Sequence, residues 1–121
     1  MQETPRHLKN WISLPGLSGA EAPLREAIQA VWQPLTDETS ASAMGSLHAL
    51  KKGSGPSPRP SIMISTHMDA IGLMVSAVEQ DWLRVTQIGW VDARILPGQP
   101  VIVHAQRDLP GVVVQPAAHL L

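Results

Sequence analysis

The sequence predicts an α/β unit up to about Gly72, followed by the start of a small β-domain. Three observations predict it: helix-spaced apolar residues in the first 35 positions, a compact apolar run at 61–66, and no helical period after residue 72.

The first element is a short helix over residues 5 to 14, where Leu8, Trp11 and Ile12 share one face at i, i+3, i+4 spacing. Pro15-Gly16-Leu17-Ser18-Gly19 then forces a turn. Ser18 with Glu21 resembles a capping box at the next helix start, whereas Pro23 suits a first helical position, so two boundaries are open. The second helix carries Leu24, Ala27, Ile28, Val31 and Leu35 on one stripe and ends at Pro34. Strand-like stretches at Asp37–Ser42 and Leu47–Lys51 flank a Met44-Gly45 turn. Residues 53–60 are rich in Gly, Ser and Pro and read as a surface loop. Ser61-Ile62-Met63-Ile64-Ser65-Thr66 reads as a buried central strand. Beyond it, Leu73–Val78 with Trp82–Ile88, and Val101–Ala105 with Gly111–Val114, read as two hairpins.

Composition narrows the chemistry. At 121 residues and 44% apolar content, the chain suits one small domain with a core of Leu, Ile, Val and Met, since Phe and Tyr are absent. Lys+Arg 9 against Asp+Glu 10 gives no electrostatic case for nucleic acid or a membrane surface as partner. The absence of Cys excludes a disulfide framework, a thiolate metal site and a cysteine nucleophile, leaving His and carboxylates as metal ligands. No signal-peptide h-region opens the chain and no apolar run reaches the ~20 residues of a membrane span, so a cytoplasmic location is expected. The apolar end at Leu120-Leu121, straight after a strand-like stretch, is expected to be a truncation point.

One tripeptide could carry chemistry. His67-Met68-Asp69 stands at the C-terminal end of the expected central strand, where ligands of open α/β sheets bind. If the extended conformation persists, His67 and Asp69 project to the same side. A neutral imidazole ligates a metal through one nitrogen while a carboxylate accepts from the other. A lone His beside an Asp is more often a plain structural hydrogen-bonding pair, and one His falls short of the three or so protein ligands of a catalytic zinc. His7, His48, His104 and His119 are scattered and read as surface or partly packed side chains. The turn at residues 15–19 could offer an anion site before a helix, but it also reads as a simple turn. Trp11, Trp32, Trp82 and Trp90 lie outside any basic groove and read as core or hairpin packing.

Taken in order, the motifs resemble the start of the glutamyl aminopeptidase and tetrahedral aminopeptidase family of cocatalytic metallopeptidases. The matching pieces are Leu14-Pro15-Gly16-Leu17-Ser18-Gly19, Met44-Gly45, Ile62–Asp69, Ile71–Val75 and Ile88-Gly89-Trp90. Asp92, Arg94, Leu96-Pro97-Gly98-Gln99, Pro110–Val113, Pro116 and His119 follow in the same register.

The resemblance implies that residues 1–72 are the N-terminal part of a mixed-sheet, phosphorylase/hydrolase-like α/β catalytic domain. Residues 73–121 would begin an inserted small β-barrel domain that helps subunits form homo-oligomers. It implies removal of N-terminal residues from peptide substrates by two divalent metal ions, zinc or cobalt. His67 would be a metal ligand and Asp69 a catalytic-site carboxylate, giving at most one partial metal site in this chain. The chain departs from the family at Ser42 and Ser46, where Asp and Asn usually flank the Met-Gly turn, and at Ala70, where an acidic residue is usual. The remaining ligands and the general base fall beyond position 121, so the chain alone is expected to be inactive. A non-catalytic assembly or binding module, or a related dinuclear-metal deacylase or carboxypeptidase, is the alternative.

Overall fold

The structure is a computed structural model that describes residues 3–116, and the readings of His119 and of Leu120-Leu121 fall outside them. Helix α1 spans Glu3–Ile12 and helix α2 spans Ala22–Trp32. On α1 the rings of His7 and Trp11, one turn apart, stack at 5.7 Å. Helix α2 is capped at Glu21 without a side-chain bond, and Pro23 lies in its first turn. Ser18 is therefore not a capping residue. Its hydroxyl has another partner, described below. Pro34 falls inside a 3₁₀ turn, Gln33–Leu35, and the Thr36 hydroxyl closes the end by donating to the Trp32 carbonyl at 2.9 Å.

Among the described residues six strands make three separate antiparallel ribbons. Strands β1 (Glu38–Ala41) and β2 (Leu47–Leu50) pair around the Met44-Gly45 turn. Gly45 adopts φ +88°, its N–H donates to the Ser42 carbonyl at 2.9 Å, and the Ser42 hydroxyl accepts the Ser46 N–H at 3.1 Å. Strands β3 (Gly72–Glu79) and β4 (Trp82–Ile88) turn tightly at Gln80-Asp81. The register shifts between Val75 and Ala77, and the Ser76 hydroxyl at that bulge donates to the Arg84 carbonyl at 3.2 Å. Strands β5 (Pro100–Val103) and β6 (Leu109–Val112) form the third ribbon. Pro110 sits within β6, which a two-stranded ribbon tolerates because each strand has an open edge. Among the described residues no ladder joins β3–β4 to β5–β6.

The expected central strand is the main correction. Residues 61–66 are assigned no strand, and Ile62, Met63 and Ile64 are 92%, 89% and 90% exposed. A central strand needs a hydrogen-bonded neighbour on each edge. The described ribbons pair only within themselves, so this segment has none.

The expected core is corrected with it. Leu24 is the one buried apolar side chain among the described residues, at 7% exposure. Trp82 and Trp90 are also exposed rather than packed into a hairpin core. The chain presents 10495 Å² to solvent, against about 6,300 Å² for a compact monomer of its mass. The local elements thus form without closing around a shared interior. No helix among the described residues is long and apolar enough to cross a membrane.

Candidate functional site

Two segments far apart in sequence meet beside α2. The Ala70 N–H donates to the Gly16 carbonyl at 2.7 Å, and Leu17 forms an isolated parallel bridge with Ala70. Gly16 permits this approach. A Cβ there would stand 3.0 Å from Cδ2 of Leu24, the buried residue of α2. The turn satisfies its own amides: Ala20 N–H donates to the Leu17 carbonyl at 2.7 Å, and Gly19 N–H to Oε1 of Glu21 at 2.7 Å. Those amides have internal acceptors, which favours the turn reading over an anion site.

The backbone clamp brings three side chains into line. Nδ1 of His67 lies 3.0 Å from Oδ1 of Asp69 and 3.1 Å from the Asp69 carbonyl. Both neighbours are acceptors, so Nδ1 carries the ring proton in the neutral imidazole and the lone pair resides on Nε2. On the far side of the carboxylate, the Ser18 hydroxyl donates to Oδ2 at 2.5 Å. The Ser18 hydroxyl, followed by the His67 imidazole, holds the Asp69 carboxyl below its ordinary range, against a smaller opposing effect of burial. The His67 side chain is 84% exposed, which leaves Nε2 open to an incoming ligand.

The tripeptide therefore adopts the geometry of an orienting carboxylate and an oriented imidazole. It supplies one nitrogen donor. Among the described residues no group of three or more His, Cys, Asp or Glu side chains could hold a metal ion. His7 stacks on Trp11, His48 sits exposed on β2, and Nδ1 of His104 lies 2.9 Å from Oδ1 of Asp108 in the β5–β6 loop. None of them joins His67. Ser18 was missed as a partner of Asp69 because the two are 51 positions apart and no local spacing couples them.

The comparisons with known proteins point one way. A family profile described as M42 glutamyl aminopeptidase matches residues 45–121. A putative aminopeptidase of Acetivibrio thermocellus is 37% identical over 95 residues, covering 78% of this chain and 28% of that protein. The lysyl aminopeptidase of Pyrococcus furiosus is 35% identical over 96 residues, covering 78% of this chain and 27% of its own length. The solved structure of an aminopeptidase from the archaeon Desulfurococcus kamchatkensis superposes with TM-score 0.84 at 33% identity, covering 95% of this chain and 32% of that one. The chain thus spans about a third or less of the length of each of these three proteins.

Proposed function

The chain belongs to the M42 glutamyl aminopeptidase family, and from that premise we propose that the whole protein is a metal-dependent hydrolase removing N-terminal residues from peptides. His67 would contribute Nε2 as one metal ligand, and Asp69 would hold its imidazole as a catalytic-site carboxylate. The observation that carries this reading is the 3.0 Å contact of Nδ1 with the Asp69 carboxylate, which turns the exposed Nε2 outward. The described residues fit one ligand of such a site, whose other ligands would come from elsewhere in the whole protein.

A pair of divalent ions, zinc or cobalt, if bound in the whole protein, would supply polarisation of a peptide carbonyl and a lowered pKa for water. His67 and Asp69 would hold and orient, with Asp69 keeping the ring proton on Nδ1. Residues 1–72 would form the first part of the mixed-sheet catalytic domain. Residues 73–121, with their two ribbons, would begin the inserted β-barrel domain and its homo-oligomer contacts. A cytoplasmic location completes the reading.

A second reading is favoured by Ala70. Where the family usually carries an acidic side chain, this position offers only its backbone N–H to Gly16. A non-catalytic assembly module would retain the clamp and form defined oligomers without stoichiometric metal.

The deciding experiment uses the native full-length protein, stripped with chelator and reloaded with zinc or cobalt. Metal-dependent release of free-amine aminoacyl anilides, with N-blocked substrates left intact, is expected. Cleavage of blocked substrates would move the reading to a deacylase or carboxypeptidase. Oligomers with neither metal nor hydrolysis would leave the module.

A further inference from the structure

We propose that Ser18 is a positioning residue. Its hydroxyl fixes the carboxylate of Asp69, and through it holds His67 with Nδ1 protonated and Nε2 outward. The metal role of that nitrogen rests on the aminopeptidase reading above, whereas the positioning itself does not.

A carboxylate held through one oxygen still swings, because its terminal torsion is broad. Here each oxygen has its own partner, His67 Nδ1 on Oδ1 and Ser18 Oγ on Oδ2, which leaves the plane no free rotation. The Ser18 bond, at 2.5 Å, is a hydrogen bond to a charged acceptor, the stronger class.

The hydroxyl is not required to dock the two segments. The Ala70–Gly16 backbone bond and the Leu17–Ala70 bridge already join them, and Leu24 packs beneath Gly16. Nor does it cap α2, which begins at Glu21 without side-chain help. Among the described residues its side-chain partner is Asp69. The frame places Ser18, Ser18 fixes Asp69, and Asp69 selects the tautomer of His67.

The test is long-range ¹H–¹⁵N correlation of the His67 ring in the full chain at about pH 8. The native chain is expected to show Nδ1 protonated and Nε2 bare. In Ser18→Ala the ratio of Nδ1–H to Nε2–H tautomers should fall by about threefold or more. Ser18→Thr, which keeps the hydroxyl, should restore it. The Ala70 amide exchange rate in the same samples reads the backbone clamp and should stay unchanged. An unaltered tautomer ratio in Ser18→Ala would overturn the inference. So would a change that accompanies loss of Ala70 protection and that Ser18→Thr does not repair. Zinc uptake by the full-length protein tests the aminopeptidase reading separately. Tautomer control without zinc uptake removes that reading and leaves this one.

Discussion

The Ala70 amide meets the Gly16 carbonyl at 2.7 Å, and around this bond the His67–Asp69–Ser18 line is assembled. The bond sits where the turn meets α2 at Gly16 and Leu24. Gly16 is buried there, with Leu24 across from it. Gly16→Ala places a methyl 3.0 Å from Leu24 Cδ2, so one of the two must move. A loss of roughly 1–3 kcal/mol is expected, as for other overpacked sites. Denaturant unfolding of the native and substituted chains measures it, and faster Ala70 amide exchange should accompany it. Equal stability with equal exchange would show that the contact is slack.

Asp69→Asn separates charge from shape. The amide can still accept from His67 Nδ1, and its NH₂ can face the Ser18 hydroxyl, which then accepts. The line is kept while the negative charge is lost. If the whole protein binds zinc through His67, as the proposed function holds, a tenfold to hundredfold weaker zinc affinity is expected. His67→Ala, which removes the donor itself, should lose more. Competition with a chromophoric chelator measures both, and a substitution order reversed from this would assign the ligand wrongly.

The local elements were legible in the sequence because local signals decide them. The face of Leu8 and Trp11, the stripe containing Leu24 and Ile28, and the Met44-Gly45 and Gln80-Asp81 turns lie within a few positions of the residues they organise. The contact of His67 with Asp69 likewise joins residues two positions apart. Ser18 was misread because Glu21 three positions later mimics a capping box, while the real partner stands at position 69. Burial of Ile62–Ile64 was misread because apolar runs report what a strand needs, not which neighbours are present.

Ser42 stands where the resembled family usually has Asp, and its geometry predicts what the exchange has cost. Its hydroxyl accepts the Ser46 N–H at 3.1 Å, as an Asp carboxylate could. Ser42→Ala should destabilise the β1–β2 ribbon by about 0.5–1.5 kcal/mol. Ser42→Asp should match or exceed the native chain. Amide exchange at Ser46 reads the ribbon directly. If Ser42→Ala left that amide fully protected, the hydroxyl would be shown to have no role in the turn.

Asp92 sets the acid limit of the 3₁₀ turn Ala93–Ile95. Its carboxylate takes the Arg94 guanidinium through Nε and Nη2, at 3.0 and 2.7 Å, and accepts the Arg94 backbone N–H at 3.0 Å. The Arg94 side chain, then its backbone amide, holds the Asp92 carboxyl below the ordinary carboxylate range. A depressed folded pKa contributes stability that is fully present above the unfolded value of about 3.9. That contribution fades as pH falls through the folded pKa. The turn should therefore stay closed at neutral pH and open only under acid. Carboxyl ¹³C shifts of Asp92 should titrate below those of an unpaired Asp. Titration at or above about 3.9 would show that the pair is not formed in solution.

The bare segment at residues 61–66 predicts how the 121-residue chain behaves by itself. Ile62, Met63 and Ile64 are each at least 89% exposed, and among the described residues the backbone around them has no strand partner on either edge. An unpaired apolar edge recruits another chain. The weight-average mass of the purified chain, read by light scattering, should rise with concentration. Ile64→Lys, which puts a charge in the middle of the run, should suppress that rise without disturbing the His67–Asp69 contact. A native chain that stays monomeric at high concentration would mean that the segment is covered by other parts of the same molecule in solution. Association that Ile64→Lys leaves intact would instead move the sticky surface to the exposed β3–β4 ribbon, where Trp82 and Val78 are the next side chains to charge.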